Sequence, residues 1–273
     1  ASGVVDWTAI FLAIVSLTSG LREVALVGRA IADPLTEMRE VVQAAADGDL
    51  ELRVAVYDSS ELGILQGGLN DMLDGLAERE RMRDIFSRHV GDRVAELALE
   101  HEGEMVGTNE DVAVLFVDLT GSTAFAADRD PRETAVVLNA FFSLVAEVVE
   151  RHDGLINKFE GDASLVVFGA PTPLPDPATA ALTAARELGE LLSAKLPLSW
   201  GMGVSYGRVF AGNIGARTRY EYTVIGDPVN ECARLADWSK DSAARICASG
   251  AAITAADDDE AQRWHRAERV TLR

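Results

Sequence analysis

Residues 112–123 read VAVLFVDLTGST, and this stretch decides the fold class. Its six leading apolar residues predict a strand buried on both faces, because a half-exposed strand would alternate apolar and polar side chains. Asp118 ends the run, and the small residues Gly121, Ser122 and Thr123 follow in a turn whose N–H groups could hold phosphate oxygens. An acidic side chain is therefore expected at the strand end, next to a phosphate-binding turn.

The chain beyond this strand alternates between helix and strand patterns. The period of the apolar residues predicts helices over 132–151, 177–194 and about 228–238, a hairpin over 155–168, and strands near 199–206 and 208–214. The order strand–helix–strand–strand–helix–strand is that of a ferredoxin-like βαββαβ domain. The predicted fold class is therefore α+β.

The hairpin turns around Gly161 and Asp162, which supplies a second carboxylate. If strands 112–117 and 155–159 are neighbours, Asp118 and Asp162 meet at one end of the sheet. Two carboxylates beside phosphates suit Mg²⁺ or Mn²⁺. Strand-end aspartates also cap turns, and Gly-Asp is a common hairpin turn. Neither residue alone therefore establishes a metal site.

A third element is YTVIGDPVNECARL at residues 222–235. Pro228 can open a helix at its first turn. Asn230 and Arg234 are then i, i+4 neighbours on one face, and the planar guanidinium of an arginine suits a phosphoryl oxygen. A surface helix with a solvated arginine explains the same pattern when it is taken alone.

The first third of the chain carries two short amphipathic helices joined by a connector at residues 47–58. Apolar residues recur in steps of three and four, the pattern of a coiled-coil seam, at Ile31, Leu35, Met38, Val42 and Ala45, and at Leu62, Leu65, Leu69, Met72 and Leu76. Asp58 is the predicted N-cap of the second helix, with Glu61 completing a capping box. Two such helices cannot bury their seams alone, whereas dimerisation into a four-helix bundle would bury them. An ordinary helical hairpin is the alternative.

The chain begins at Ala1 rather than Met, so we expect a piece of a longer protein. The uncharged stretch from Trp7 to Leu21 has 15 residues, whereas a helix that crosses a membrane completely needs about 20 residues. No positive charge precedes it, as a signal peptide would require. Arg22 and Arg29 follow it, which predicts the end of a transmembrane helix with these arginines on the cytoplasmic side. A buried helix of a soluble protein is the alternative.

The formal net charge is −19, and the parts before and after residue 103 are both acidic. Nucleic-acid-binding modules need a basic face, so no nucleic-acid partner is expected. An acidic protein that handles a phosphorylated substrate needs metal ions to offset charge repulsion. The two cysteines, Cys232 and Cys247, give neither a disulfide framework nor a zinc cluster.

Three segments, in this order along the chain, resemble the catalytic domain of class III nucleotidyl cyclases over residues 105–273. They are residues 112–123, the hairpin turn at Gly161-Asp162 and residues 222–235. Residues 30–80 resemble a HAMP signalling domain, and the motifs that carry this resemblance are Pro34-Leu35, Gly48-Asp49-Leu50, Ser60-Glu61-Leu62-Gly63 and Asn70-Asp71-Met72. With a membrane-exit segment over 1–29 and a charged helical linker over 81–104, the chain is similar to membrane-anchored bacterial adenylyl cyclases of actinobacterial type.

The resemblance implies a role for each matching residue. The metal ligands would be Asp118, Asp162 and the backbone carbonyl of Leu119. Lys158 and Thr223 would read adenine, Asn230 would orient the ribose, and Arg234 would stabilise the transition state. The residues that would contact the triphosphate are Gly121, Ser122, Thr123 and Arg273. The resemblance further implies two Mg²⁺ or Mn²⁺ ions per site, ATP as substrate, a homodimer that shares each site, and a cell-membrane location with a cytoplasmic catalytic domain.

The base-reading pair favours ATP over GTP, because adenine offers ring acceptors to Lys158 and an amino donor to the Thr223 hydroxyl. Guanylyl cyclases of this family carry Glu and Cys there. A diguanylate cyclase would need a Gly-Gly-Asp/Glu-Glu-Phe turn, which the sequence lacks. A P-loop enzyme would need GxxxxGK[ST], which is also absent. A catalytically silent sensor that only binds nucleotide or dimerises stays open as an alternative.

Overall fold

The computed structural model describes residues 7–57, 59–91, 93–96, 107–127, 129–216 and 219–267. The chain divides into two compact units, Ala1–Ile85 and Phe86–Arg273. The predicted N-cap Asp58 and the end of the chain from residue 268, including Arg273, lie outside the described residues.

The first unit begins with a 40-residue helix, α1 (Trp7–Ala46), which runs through Pro34. The sequence predicted a boundary near residue 30, with Pro34 close to a helix start. The helix continues because proline removes only one backbone donor, while the Ala, Leu, Glu and Met residues around it are good helix formers. Gly48 ends the helix at a φ of +97°, and the N–H of Asp49 donates to the Ala44 carbonyl over 2.9 Å.

Helix α1 is long and apolar enough to cross a membrane by length and composition. Its best 18-residue window has a mean hydropathy of 1.8, and none of that window is buried. This composition agrees with the predicted membrane-exit segment.

The connector after Gly48 is extended, and the second helix, α2, spans Glu61–Val90. The side-chain amide of Asn70 holds the connector, because it accepts from the Val54 N–H over 3.0 Å and donates to the Val54 carbonyl over 2.9 Å. A small core forms from Val41, Val54, Leu69 and Leu73.

Much of the predicted seam is not buried within one copy of the chain. Leu65 is 54% exposed and Met72 is 53% exposed, and Leu35, Val42 and Leu76 are also exposed. Of the predicted seam residues, Leu69 enters the small core, and Met38 and Ala45 pack against it while partly buried. The two helices therefore leave an apolar face open.

The second unit is built on a sheet flanked by helices. After α2, residues 93–96 are also helical. The helices and strands from residue 107 onward are β1 (Thr108–Thr120), α3 (Ser122–Ala127), α4 (Pro131–Arg151), β2 (Leu155–Glu160), β3 (Ala163–Phe168), α5 (Pro177–Lys195), β4 (Ser199–Ala216), β5 (Arg219–Ile225), α6 (Asp227–Ser239), β6 (Ile246–Ala248), α7 (Gly250–Ala255) and α8 (Asp258–Ala261). The strand order is β2-β3-β1-β4-β5, all antiparallel, and β6 pairs in parallel with β4. The first four strands confirm the predicted ferredoxin-like arrangement.

Strand β1 is the centre of the sheet and is buried on both faces, as its apolar run predicted. Ala113, Leu115 and Val117 face a core with helices α4 and α5. Val112 and Val114 face a second core that includes Cys232 of α6. One face of the sheet is therefore covered by α4 and α5 and the other by α6.

One strand prediction was wrong, and strand β5 was not predicted. The strands expected at 199–206 and 208–214 form one strand, β4, because β1 pairs with it without a break across Gly207. Residues 219–225 form a further strand, β5, which pairs with the second half of β4. Gly207 lies between the two predicted strands, but its pairing with the long strand β1 keeps β4 extended through it.

Helix α6 lies directly against β4 at two glycines. A Cβ on Gly203 would lie 2.1 Å from the Cys232 carbonyl oxygen, and one on Gly201 would lie 2.7 Å from the Ala236 carbonyl oxygen. The Cys232 thiol is fully buried at this contact, and burial raises its pKa. Because Gly201 and Gly203 have no side chains, α6 packs directly on β4. This close contact fixes the position of α6 and of the residues on it.

This contact predicts that Gly203→Ala destabilises the second unit. The added methyl has no space against helix backbone, so we expect a loss of about 1–3 kcal/mol in the free energy of unfolding. Gly250→Ala is the control, because a Cβ there meets nothing within 4 Å. Denaturant unfolding followed by tryptophan fluorescence measures both, since Trp200 is buried in β4. Equal stability of the two variants would contradict the proposed close contact.

Candidate active site

Two carboxylates meet at one end of the sheet. Asp118 is near the end of β1 and pairs in register with Ala163, the first residue of β3. Asp162 precedes Ala163 in the β2–β3 turn, where Gly161 adopts a φ of +67°. The N–H of Leu119 donates to the Asp162 carbonyl over 3.2 Å. The turn is thus attached directly to the end of β1.

The sequence predicted this meeting for the wrong reason. It required strands 112–117 and 155–159 to be neighbours, whereas β3 lies between β1 and β2. Asp118 and Asp162 still come together because Asp162 immediately precedes β3, the actual neighbour of β1. A hairpin places its turn at the same sheet end whichever of its strands pairs with β1.

The Asp118 side chain is only 19% exposed and is paired with a cation. The Lys240 ammonium lies 2.5 Å from Asp118 Oδ2 and 2.8 Å from Asp237 Oδ1. Burial raises the pKa of the Asp118 carboxyl above its ordinary value, and the negative charges of Asp162 and Asp237 act in the same direction, whereas Lys240 opposes them. The ionised carboxylate therefore needs a positive charge beside it.

The turn after β1 leads into α3. Gly121 adopts a φ of +79°, which favours glycine, although a Cβ there would meet no other atom. The Ser122 hydroxyl donates to Asp162 Oδ2, and Thr123 is exposed. The Ser122 side chain thus orients the second carboxylate.

The chemistry of this cluster fits a hard divalent cation. Its donors are the carboxylate oxygens of Asp118 and Asp162 and the nearby backbone carbonyls, and oxygen ligands are those that Mg²⁺ and Mn²⁺ prefer. The Lys240 ammonium already places one positive charge on Asp118. Within the described residues, no group of three or more His, Cys, Asp or Glu side chains could hold a metal ion. A metal here would therefore rely on two carboxylates together with water or ligand oxygens.

Lys158 and Thr223 lie in one polar cluster, although their strands are not neighbours in the sheet. Asn157 of β2 joins them, because its side-chain amide donates to the Tyr222 carbonyl over 2.8 Å and accepts from the Thr223 hydroxyl over 3.0 Å. The Lys158 ammonium lies 3.7 Å from Glu221 Oε2. It also lies 3.9 Å from Glu160 Oε1, so both carboxylates are beyond hydrogen-bond distance of the ammonium.

The Thr223 hydroxyl has a defined direction. The hydroxyl donates its proton to Asn157 Oδ1, so the lone pairs of Thr223 Oγ1 can accept a hydrogen bond from a ligand. This orientation makes Thr223 an acceptor next to a lysine donor.

Asn230 and Arg234 lie together on the exposed face of α6. They line a shallow depression with Asp227 and Glu231. The Glu231 carboxylate accepts a hydrogen bond from the buried Ser205 hydroxyl, which fixes its position. The i, i+4 arrangement predicted from the sequence is present, and both side chains are open to a ligand.

The predicted site residues therefore form three groups. Asp118, Asp162 and Ser122 meet at the end of β1. Lys158 and Thr223 lie with Asn157 in the polar cluster, and Asn230 and Arg234 lie on the exposed face of α6. In the part of the chain that the structure describes, no hydrogen bond or ion pair joins Arg234 or Lys158 to either aspartate. The predicted role of Arg273 stays a prediction.

Sequence reasoning missed Asn157, Asp237 and Lys240. Asn157 lies in the predicted hairpin over 155–168, but an asparagine on a strand has no distinguishing pattern. Lys240 follows α6 at i+3 from Asp237, which predicts only a local ion pair. Its contact with Asp118 depends on how α6 packs on the sheet.

Two family models match the chain. The adenylate and guanylate cyclase catalytic domain matches residues 105–272, more than half of the chain, and the HAMP domain matches residues 26–78. An uncharacterized protein of Mycobacterium tuberculosis strain H37Rv is 43% identical over 265 residues, which cover 97% of this chain and 49% of that protein. A second one is 46% identical over 243 residues, covering 89% and 43%. The chain spans about half the length of the curated relatives it matches.

Solved structures are similar to a large part of the chain. The adenylyl cyclase CyaB from P. aeruginosa is 26% identical with a TM-score of 0.51, over 55% of this chain and 82% of that one. The guanylate cyclase domain of RhGC from Catenaria anguillulae, solved with GTP, is 25% identical with a TM-score of 0.50, over 54% and 83%. A bacterial light-regulated adenylyl cyclase shares the fold at 20% identity, with a TM-score of 0.60, over 73% and 60%. The chain therefore belongs to the adenylate and guanylate cyclase catalytic domain family, and a HAMP domain precedes that domain in its sequence.

Proposed function

We propose that the chain is the signalling and catalytic part of a membrane-anchored adenylyl cyclase, which converts ATP to 3′,5′-cyclic AMP and pyrophosphate. The observation that carries the proposal is the meeting of Asp118 and Asp162 at the sheet end, beside the turn at Gly121–Thr123. This places two carboxylates next to backbone that can face phosphates. The family, which includes adenylyl and guanylyl cyclases, supplies the reaction class.

In the proposed reaction, the ribose 3′-oxygen attacks the α-phosphorus. The bond from that phosphorus to the oxygen bridging to the β-phosphate breaks, pyrophosphate leaves, and the 3′-proton passes to solvent. Two Mg²⁺ or Mn²⁺ ions, when bound, would lower the pKa of the 3′-hydroxyl and offset the charge of the leaving pyrophosphate. Asp118, Asp162 and the Leu119 carbonyl are the proposed ligands.

The exposed pair on α6 serves the sugar and the transition state. We assign Asn230 to the ribose and Arg234 to the negative charge that grows on the α-phosphate oxygens. A guanidinium suits this task because it is permanently charged and donates in a plane. In one copy of the chain the exposure of Arg234 leaves it open to such a contact.

The Asn157 cluster supports ATP as the substrate. Adenine presents an amino donor and ring acceptors, which match an accepting Thr223 hydroxyl and a donating Lys158 ammonium. Guanine reverses the donor and acceptor on that edge. The fixed direction of the Thr223 hydroxyl is therefore our reason to prefer ATP over GTP.

A homodimer would complete the site. One protomer supplies Asp118 and Asp162, and the other supplies Lys158, Thr223, Asn230 and Arg234. The open apolar face on α1 and α2, which includes Leu65 and Met72, supports pairing of the HAMP domains as well. A four-helix bundle made by two copies would bury that face and set the spacing of the catalytic domains.

The apolar start of α1 is the proposed membrane anchor. The HAMP domain and this helix together favour a protein held at the cell membrane, with the catalytic domain in the cytoplasm. The HAMP domain would then regulate activity in response to events upstream of α1.

Cyclic AMP formation from ATP with Mn²⁺ or Mg²⁺ tests the reaction and the shared site. We expect Asp118→Ala and Lys158→Glu to be inactive alone. Co-expressed, they should recover roughly a quarter of wild-type activity, because half of randomly formed dimers are mixed and each keeps one intact site of two. The control is co-expression of Asp118→Ala with Asp162→Ala, which leaves no intact site.

Recovery in the control pair, or none in the test pair, would contradict the division of residues between protomers. No product from the unmutated protein would favour the silent nucleotide-binding sensor instead.

Base recognition is tested at Thr223. Thr223→Val removes the accepting hydroxyl at nearly the same volume, so kcat/KM for ATP should fall about tenfold, the cost of one lost hydrogen bond to the ligand. Thr223→Ser keeps the hydroxyl and should stay close to the wild type. Steady-state kinetics with ATP and GTP measure both variants. Comparable turnover of the two nucleotides by the wild type would disprove the proposed preference.

The role of the HAMP seam is tested by Leu65→Asp. A charge on the seam should weaken dimerisation and uncouple the cyclase, which sedimentation velocity and cyclic AMP formation measure. Ile64→Asp is a matched control, because Ile64 is on the same helix, 69% exposed and off the predicted seam. The same dimerisation and activity in both variants and the wild type would count against regulation through this seam.

A further inference from the structure

The Asp118 carboxylate is already paired with a cation from the same chain. Lys240 Nζ lies 2.5 Å from Asp118 Oδ2, and the lysine side chain is 23% exposed. Lys240 directly follows α6, far from Asp118 in sequence, so the contact is a product of the fold. An ammonium this close occupies one of the oxygens that a divalent cation would use.

The sheet makes room for this lysine. Gly201 of β4 pairs in register with Asp118, and a Cβ on Gly201 would lie 2.7 Å from Cγ of Lys240. The aliphatic stem of the lysine therefore passes directly over a glycine to reach the carboxylate.

A second carboxylate holds the same ammonium from the solvent side. Asp237 Oδ1 lies 2.8 Å from Lys240 Nζ, and the Asp237 side chain is 76% exposed. Asp237 and Lys240 are separated by three residues at the end of α6, so they remain neighbours whatever binds at Asp118. The ammonium can leave Asp118 by side-chain rotation and keep one ion pair.

We propose that Lys240 is an exchangeable counter-ion of the metal site. Its ammonium neutralises Asp118 until a divalent cation binds, and it then moves fully onto Asp237. The lysine thereby lowers the affinity of the site for metal, because each binding event must displace it. This inference rests on the proposed metal site at Asp118 and Asp162.

The mechanism predicts opposite effects at the two partners of the exchange. Lys240→Gln removes the competing charge, so Mn²⁺ should bind about tenfold more tightly, the scale of one partly screened charge interaction. Asp237→Asn removes the alternative partner, so the ammonium stays on Asp118 and Mn²⁺ should bind about threefold more weakly.

The double variant separates exchange from a simple change of local charge. If Asp237 acts only by receiving the ammonium, Asp237→Asn has no effect once Lys240→Gln is present. If both residues act only through their electrostatic fields at the metal, the change in Mn²⁺ affinity of the double variant is the product of the two single changes.

Mn²⁺ titration of the full chain, with free aqueous Mn²⁺ measured by electron paramagnetic resonance, provides the affinities without any catalytic turnover. Asp118→Asn measures background binding to the acidic surface, and thermal unfolding without metal checks that each variant is folded. We expect tighter binding in Lys240→Gln, weaker binding in Asp237→Asn, and no added effect of Asp237→Asn in the double variant.

Two results would overturn the proposed role of Lys240 and leave the proposed metal site standing. Equal affinity in the wild type and Lys240→Gln, with weaker binding in Asp118→Asn, removes the role of Lys240 and leaves the proposed metal site standing. Independent effects in the double variant would remove the exchange. Equal binding in the wild type and Asp118→Asn would instead overturn the proposed metal site, and the inference with it.

Discussion

Asp118 carries a negative charge at the end of a strand that is buried on both faces, and the arrangement around it depends on how that charge is neutralised. Strand β1 cannot shift, because Val112 and Val114 pack on one side and Leu115 and Val117 on the other. Burial raises the pKa of Asp118, and the negative charge of Asp162 at the same sheet end raises it further. A cation beside Asp118 stabilises its ionised form, and the chain itself supplies Lys240.

The packing of α6 on the sheet places Lys240 beside Asp118 and also leaves Arg234, the proposed transition-state residue, exposed to solvent. Helix α6 contacts β4 through Gly201 and Gly203, so one side of the helix directs Lys240 to Asp118 while another presents Arg234 to solvent. In one copy of the chain the carboxylate pair and the proposed transition-state arginine are not joined by any described ion pair. In the homodimer proposed above, a second protomer would complete the site, and the proposed HAMP control would act through the spacing of the protomers.

Local patterns in the sequence predicted local structure well. The run at 112–117 predicted a strand buried on both faces, and the Gly161-Asp162 turn predicted a hairpin; both are confirmed. The family resemblance is confirmed as well. What failed depended on partners distant in sequence: the strand beside β1, the continuity of β4 through Gly207, and the contact of Lys240 with Asp118. A lysine after a helix looks the same in sequence whether it reaches solvent or a buried carboxylate, so only the packing of α6 could reveal its role.

Anomalous diffraction from crystals grown with Mn²⁺ and a non-hydrolysable ATP analogue tests the central claim most directly. We expect a manganese peak within about 2.0–2.6 Å of oxygens from both Asp118 and Asp162, the range of hard-cation ligands. The Lys240 ammonium should then contact Asp237 alone. Manganese bound elsewhere, with the ammonium still on Asp118, would contradict the account that the carboxylate pair at the end of β1 is the metal site of this cyclase domain.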